Sequence, residues 1–224
     1  MPHRLLIVSS LLAAAGCNAG SEETIPVQFT LGDFMSGDGI EHLDVCVLDT
    51  ANCDVTDADG TAHLSLAVDS DVAIGITGGG YNPSILPIRT SRDLQPVVNY
   101  LTPEFVIDNI IEASGLPVDR SLARLGISLV DPQYVPVAGY SATMPEAEGP
   151  YYLTELSSSV GQDLEATSGS GRFAGFNFTG DFLMVTVDGP GTCLPAEKYW
   201  QGGPNEAPLP MAPGFTSGVT MICE

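Results

Sequence analysis

The sequence predicts an all-β protein made of two tandem β-sandwiches joined by a short α-helix. Apolar and polar residues alternate through most of the 224-residue chain, and Gly, Asp, Asn and Pro bound the alternating runs. Period two over four to eight residues is typical of half-buried strands. One segment departs from this period, and one pattern occurs twice. Each half, of about 80 to 100 residues, has room for the strands of one sandwich.

The first sandwich is expected over residues 25–101. Four runs of alternating residues predict its strands, followed by the turn cluster TGGGYNPS. We expect SILPIRT to form an edge strand, because Pro87 cannot donate a backbone hydrogen bond to a neighbour. The apolar residues of the four runs are Ile25, Val27, Phe29, Leu31; Leu43, Val45, Val47; Ala62, Leu64, Leu66, Val68; and Val72, Ile74, Ile76.

The segment TPEFVIDNIIEASGLP, within a linker spanning residues 102–121, has helical spacing. Thr102 is expected to be the N-cap and Pro103 the first helical residue, and Gly115 with Pro117 would end the helix. This predicts about three turns between the two sandwiches. The apolar stripe consists of Val106, Ile107, Ile110 and Ile111.

The second sandwich is expected over residues 122–224. Strands are predicted within RLGISLV, VPVAGYSATM, GPYYLTE, SGRFAGFNF, DFLMVTVD and FTSGVTMIC. The remaining stretch, residues 189–214, is rich in Pro and Gly and is expected to be a long loop. Loops of this length in compact domains are usually functional or disordered.

An internal repeat relates the two halves. The first reads TDADGTAHLSLAVDSDVAIGI and the second TSGSGRFAGFNFTGDFLMVTV. A threonine, a glycine four residues later, a strand, an acidic turn and a second strand recur in the same order. The register slips after Phe173, so Gly175 is expected to lie at a bulge. The matched pairs are Thr56 with Thr167, Gly60 with Gly171, and Asp71 with Asp181.

The repeat bears on the aspartates of CDVTDADG, which invite comparison with a calcium loop. At the positions of Asp57 and Asp59 the second copy has Ser168 and Ser170. Asp and Ser both favour turns through hydrogen bonds to nearby backbone. The spacing also differs from that of a calcium loop, because Leu66 stands where a bidentate glutamate belongs. A plain turn is therefore favoured, with adventitious Ca²⁺ binding as the alternative.

These motifs resemble the carboxypeptidase regulatory-like domains, a transthyretin-like, broadly Ig-like class of β-sandwich. The resemblance covers residues 25–100 closely, through LDVCVLDTANCDVTDADGTAHLSL and DVAIGITGGGYNP, and residues 122–224 more loosely. It implies about seven strands per domain and an accessory, scaffolding or binding role on an exported protein. The family provides no catalytic residues that carry over to this chain.

The first residues, MPHRLLIVSSLLAAAGC, predict export. A basic start, a short apolar run and small residues before Cys17 are typical of a secretory signal. Because it ends on a cysteine, the segment resembles bacterial lipoprotein signals. That resemblance implies a signal peptide over residues 1–16, lipidation of Cys17, and a tether over residues 17–24. Ordinary secretory cleavage with a free Cys17 is the alternative. We therefore expect a lipid-anchored protein of the bacterial envelope, at the outer membrane.

The other four cysteines are expected to form disulfides, because an even number is typical of exported chains. Of the three possible connectivities we favour Cys46–Cys53, which closes a short turn, and Cys193–Cys223, which would hold the long loop onto the last strand. A zinc site is disfavoured because the chain lacks a CxxC motif.

Composition and motifs argue against several functions. The chain has 28 acidic and 7 basic residues, a net charge of −21, which disfavours nucleic acid as a partner. No serine lies in a G-x-S-x-G motif. His42 and His63 are expected to face solvent. EGPYYLTE resembles a stretch of the intradiol dioxygenases, but no histidine follows residue 63 to bind their iron. Tyr151 and Tyr152 are instead expected to be a strand pair with one buried ring.

The best candidate site is the pair Tyr199 and Trp200 in the long loop. An exposed aromatic pair can stack on a sugar or anchor a protein partner. The competing interpretation is that Trp200 folds back to cap the second sandwich. The predicted function is a non-catalytic envelope lipoprotein that acts as an interaction or structural module, without cofactor or metal. Its partner would be an envelope protein or polysaccharide, and the alternative function is a carbohydrate-binding module.

Overall fold

A computed structural model describes residues 23–155, 159–161 and 163–224. It confirms the all-β class and the two sandwiches with one helix between them. The predicted signal peptide and Cys17 lie outside the described residues. Among the residues described, no helix is both long and apolar enough to cross a membrane.

The first sandwich packs two sheets around one apolar core. One sheet has the order β4-β1-β7, and the other contributes the order β3-β2-β5-β6. The core includes Phe29 and Leu31 of the first sheet and Ile74 of the second, all 0% exposed. The strands are β1 (Thr24–Asp33), β2 (Asp44–Val47), β3 (Cys53–Val55), β4 (Thr61–Ala67), β5 (Asp71–Thr77), β6 (Ser84–Arg89) and β7 (Val97–Leu101).

The predicted helix is present as α1 (Glu104–Ser114) and ends at Gly115, which adopts φ 63°. Its start differs by one residue from the prediction. Pro103 is the N-cap and no side chain caps the helix, so Thr102 does not have the predicted role. Proline's fixed φ and missing N–H suit it to the beginning of a helix.

The second sandwich has its own core, formed by residues 123–223. The predicted loop 189–214 contains two strands, β13 (Cys193–Pro195) and β14 (Glu206–Pro210), which is a correction. Pro208 and Pro210 are tolerated because β14 is an edge strand. The strands are β8 (Ala123–Val130), β9 (Ser141–Thr143), β10 (Glu148–Tyr152), β11 (Arg172–Phe178), β12 (Phe182–Asp188), β13 (Cys193–Pro195), β14 (Glu206–Pro210) and β15 (Thr216–Cys223).

The internal repeat is present in the topology. In the first half β1 pairs antiparallel with β4 and parallel with β7. In the second half β8 pairs antiparallel with β11 and parallel with β15. The register of β11 on β8 shifts between Gly175 and Phe178, where the bulge was predicted.

The matched threonines and glycines make the same contacts in both halves. Thr56 accepts the N–H of Leu43 and donates to the carbonyl of Ile40. Thr167 likewise accepts from Tyr140 and donates to Val137. A Cβ on the matched glycines would lie 2.2 Å from the Leu31 oxygen at Gly60 and 2.4 Å from the Leu129 oxygen at Gly171. Both positions therefore require glycine.

The two sandwiches share a sheet. The start of β15 pairs with β6 through Thr216–Ser84 and Ser217–Ile85, so one nine-stranded sheet runs through both halves. SILPIRT contains β6, which is the edge strand of the first sandwich but not of the whole sheet, because β15 of the second sandwich pairs with it. Continuity of this kind removes an exposed edge.

Both predicted disulfides are present. Each joins directly opposed residues of neighbouring antiparallel strands, Cys46–Cys53 across β2 and β3 and Cys193–Cys223 across β13 and β15. The first sandwich also begins earlier than expected. Glu23 and Thr24 were assigned to the tether, but Thr24 begins β1 and Glu23 binds Arg92.

Candidate functional site

The aspartate-rich stretch after Cys53 forms a turn whose carboxylates bind backbone. Asp57 Oδ1 accepts N–H groups from Asp59 at 3.0 Å and Thr61 at 2.8 Å. Asp54 Oδ2 accepts the N–H of His63 at 2.7 Å, and this bond, with one from the Val55 N–H, lowers the pKa of Asp54. In the part of the chain that is described, no three His, Cys, Asp or Glu residues are grouped so as to hold a metal.

His42 and His63 are both exposed, as predicted. His42 lies before β2 with Nε2 3.5 Å from a Glu41 carboxylate oxygen, at the surface. His63 lies in β4 on the opposite face from buried Leu64. Both side chains therefore lie at the surface of the first sandwich.

The Tyr151–Tyr152 pair has one buried ring, as predicted. Tyr152 is 4% exposed, and its hydroxyl accepts the N–H of Ala142 at 2.8 Å. Burial raises the pKa of both tyrosines. The ring of Tyr151 contacts Phe176, with 5.5 Å between the centroids. These contacts are those of a structural strand pair.

Tyr199 and Trp200 lie between the two sandwiches. Trp200 donates its backbone N–H to Pro87 at 3.0 Å. Its indole Nε1 lies 3.2 Å from the Val72 oxygen and 3.1 Å from the Ile88 oxygen. Tyr199 is 5% exposed and forms a β-bridge with Ile88. Residues 198–200 therefore extend the pairing of β6 beyond the point where β15 leaves it.

This location differs from both roles weighed for the pair. The two aromatic residues do not form an open platform, and Trp200 contacts the first sandwich instead of capping the second. The physical reason is that β6 leaves carbonyl groups unpaired beyond Ile85, and the 198–200 segment provides N–H donors for them. Binding of a ligand by Tyr199 and Trp200 stays a prediction.

The chain's only lysine, Lys198, belongs to the same contact. Its Nζ donates to the Val98 carbonyl of β7 at 3.1 Å and lies 5.1 Å from the Tyr199 ring centroid. Its backbone oxygen accepts the N–H of Arg89 at 3.0 Å. Burial lowers the pKa of Lys198. The segment thus ties the second sandwich to β6 and β7 of the first.

A second set of contacts joins the two sandwiches near the start of β15. Asn82 Nδ2 donates to Thr216 Oγ1 at 2.9 Å, and Asn82 is 6% exposed. The N–H of Thr216 donates to Pro83 at 2.8 Å. We call these contacts, together with the β6–β15 pairing and residues 198–200, the joint. Sequence reasoning missed the joint, although Asn82 and Pro83 were recognised as part of a turn cluster.

No family model and no curated protein matches the chain. Among solved structures it is similar to the shaft pilin SpaA from Lactobacillus rhamnosus GG, at 12% identity over 90% of this chain and 98% of that one, with a TM-score of 0.27. It is also similar to a streptococcal ancillary pilin, at 11% identity over 90% and 69% of the chains, with a TM-score of 0.32.

A third similar structure is GBS52, the minor pilin of Streptococcus agalactiae, at 14% identity over 88% of this chain and 95% of that chain, with a TM-score of 0.28. TM-scores near this value do not establish a common fold. Membership of the carboxypeptidase regulatory-like family stays a prediction.

Proposed function

We propose that this protein is a non-catalytic structural or interaction module of the bacterial cell envelope, held to a membrane by lipid on Cys17. The observation that carries the proposal is the joint. One sheet continues through both sandwiches, and residues 198–200 bind the first sandwich beside it. Such a joint fixes two domains relative to each other, which suits a spacer or display element.

The covalent and chemical features support the same role. Two disulfides are typical of an oxidising compartment outside the cytoplasm. The aspartates compared with a calcium loop are engaged in the turn itself, because Asp54 and Asp57 bind backbone N–H groups. His42 and His63 face solvent. The sequence before Thr24 has the pattern of an exported, lipidated chain.

The proposed stiffness is tested by the distance between two spin labels, one in each sandwich. Non-natural amino acids at exposed Val55 and Phe182 leave the cysteines untouched. We expect one narrow distance distribution in the wild type and a broader one in Trp200→Ala, which loses the indole from the joint. Trp200→Phe is the comparison variant, because it keeps an aromatic ring but loses the N–H and the five-membered ring that carries it. A broad distribution in the wild type would contradict the proposal.

The proposed anchor is tested separately in a bacterial host. The full chain and a Cys17→Ala variant are expressed with an alkyne-bearing fatty acid, and the label on the purified protein is measured. We expect label and membrane fractionation in the wild type only. Equal labelling of both chains, or none in either, would show that Cys17 is not the anchor and leave the joint unaffected.

A further inference from the structure

A cavity of about 300 Å³ lies between the two sandwiches and α1. Its floor is the outer face of β8 and β15, where alternation places the residues that point away from the second core. On the other side it is lined by the helix residues Ile107, Ile110 and Ile111, which are only partly buried. The cavity is twice the size of a 150 Å³ cavity that holds benzene, so it has room for about twelve non-hydrogen atoms.

Two glycines keep the floor of the cavity open. Within the described residues, and apart from the chain neighbours, no atom lies within 4 Å of the point where Gly126 would carry a Cβ, and at Gly218 the Gly126 oxygen alone does, at 3.6 Å. Neither residue has the positive φ that favours glycine. Backbone conformation therefore does not explain these glycines. Their effect is to leave space beneath α1.

Arg124 lines the cavity and is 4% exposed. Its Nη2 donates to the Gly214 carbonyl at 2.7 Å, but its buried Nε finds no hydrogen-bond partner among the described residues. The nearby Glu104 carboxylate forms its ion pair with Arg120. Burial, followed by the Arg120 charge, lowers the pKa of Arg124. A buried donor without a partner is costly, and the cost is relieved by a ligand that accepts it.

Arg172 lies at the other end of the floor, on β11. It is half-buried, and its guanidinium carbon lies 5.5 Å from the ring centroid of Phe34, which is 51% exposed. Within the described residues its guanidinium makes no hydrogen bond or ion pair. The exposed Phe34 marks this end as the mouth of the cavity, and Arg124 marks the closed end.

These two arginines are exceptional in so acidic a chain. Acidic residues outnumber basic ones by 28 to 7, so carboxylate partners are abundant. Arg89, Arg92 and Arg120 each pair with a carboxylate. In the part of the chain that the structure describes, Arg124 and Arg172 pair with no carboxylate, and both line the same cavity. Buried cations are normally paired, and a carboxylate from outside the chain would give Arg124 the partner that it lacks.

We propose that this cavity binds a small monocarboxylate with an apolar body, of the size of a medium-chain fatty acid. The carboxylate accepts hydrogen bonds from Arg124 at the closed end, and the apolar body lies over Gly126 and Gly218 towards Phe34. Charge-assisted hydrogen bonds fix the head, and the isoleucines of α1 cover the body. The site does not depend on the envelope role proposed above.

Titration calorimetry of the purified protein with decanoate tests the site. We expect saturable binding of one decanoate per chain, and binding at least tenfold weaker for decanol and decylamine, which have the same body and a different head. Gly126→Val should weaken decanoate binding at least tenfold by filling the floor, as should Arg124→Gln by removing the donor. Arg92→Gln is the matched control, because Arg92 is an exposed arginine paired with Glu23, and it should bind like the wild type.

Three results would overturn the proposal: no decanoate binding, equal binding of decanol, or unchanged binding in Gly126→Val. Arg124→Gln also loses the bond to Gly214, so its thermal unfolding is measured beside the wild type. If that variant does not fold, the comparison of decanoate, decanol and decylamine still tests the proposal. So does Gly126→Val, because the Gly126 position has free space for a side chain.

Discussion

The two sandwiches follow the same pattern but end differently. The last strand of the first half, β7, has five residues and lies at the edge of its sheet. Its counterpart β15 has eight residues and pairs with β8, β13 and β6. The first half leaves an edge open at β6, and the second half covers it. The comparison shows how a repeated domain is converted into one continuous structure by lengthening a single strand.

The turns before β4 and β11 show the reverse relation: their sequences differ, but their geometry is the same. Asp57 accepts the N–H of Asp59, and Ser168 accepts that of Ser170. A further match was not recognised from the sequence. Asp33 Oδ1 accepts the N–H groups of Met35 and Ser36 after β1, and Asp131 Oδ1 accepts those of Gln133 and Val135 after β8.

The largest expected effect comes from the matched glycines. Gly60→Ala and Gly171→Ala should each lower the free energy of unfolding by about 4 kcal/mol, because a Cβ would collide with a backbone oxygen at a positive φ. Since the halves share a sheet, both variants should shift the same single transition in denaturant. Gly126→Ala is the control, and we expect a change below about 1 kcal/mol at that open position.

Two separate transitions, with Gly60→Ala moving only one of them, would contradict this expectation. The halves would then be independent folding units despite the continuous sheet. Two spectroscopic signals distinguish the cases. The fluorescence of Trp200, the only tryptophan, reports on the joint, and far-ultraviolet circular dichroism reports on the strands of both halves. The fluorescence should change together with the circular dichroism signal.

The disulfides give the next effect and should differ between the halves. Loop closure predicts roughly 3–4 kcal/mol for Cys193–Cys223 and about 2 kcal/mol for Cys46–Cys53, because the loops differ in length. The separations are 30 and 7 residues. Replacing each pair by alanines and measuring chemical denaturation checks the ranking. An equal loss from both pairs would show that loop length does not govern their contributions here.

The turn at Asp33 should make a pH-dependent contribution to stability that the matching turn at Asp131 does not make. The hydroxyl of Tyr81 donates to Asp33 Oδ2 at 2.8 Å. Burial, followed by this hydrogen bond, raises the pKa of Tyr81 from 10.0 to about 12. The native state therefore keeps a proton that the unfolded chain has released. The resulting stability is complete below pH 10 and is lost as the pH rises towards 12.

Unfolding in denaturant between pH 9 and pH 12 measures this contribution. The wild type should lose more stability over that range than Tyr81→Phe, which has no proton to release at that position. Tyr134, an exposed tyrosine of the second half, gives the control variant Tyr134→Phe. An identical pH dependence for the wild type and Tyr81→Phe would show that Tyr81 does not titrate as expected.

Sequence patterns were sufficient for features that depend on neighbours along the chain. Alternation located most strands, the Thr-x-x-x-Gly spacing identified the repeat, and Gly115 marked the end of α1. Strand β14 was missed because its prolines are unfavourable in a central strand and are tolerated only at an edge. Sheet order is a long-range property, which local alternation does not determine.

The joint and the cavity depend on such long-range contacts. Trp200 has the same sequence context whether it faces solvent, its own sandwich or the other one, so its bonds to Val72 and Ile88 could not be inferred. Arg124 and Gly126 alternate with buried Leu125 and Ile127, a pattern that predicts a solvent-facing side. Only the position of α1 over that face turns it into the wall of a cavity.

The smallest expected effect concerns the turn aspartates. Asp57→Ser copies the second half into the first and should change the free energy of unfolding by less than about 1 kcal/mol, because serine can accept the same backbone N–H. Asp57→Ala, which cannot accept it, should cost more than Asp57→Ser in the same denaturation experiment. Millimolar Ca²⁺ should leave the melting temperatures of the wild type and Asp57→Ser unchanged. A calcium-dependent rise in the wild type that Asp57→Ser abolishes would make this turn a cation site and distinguish it from its copy.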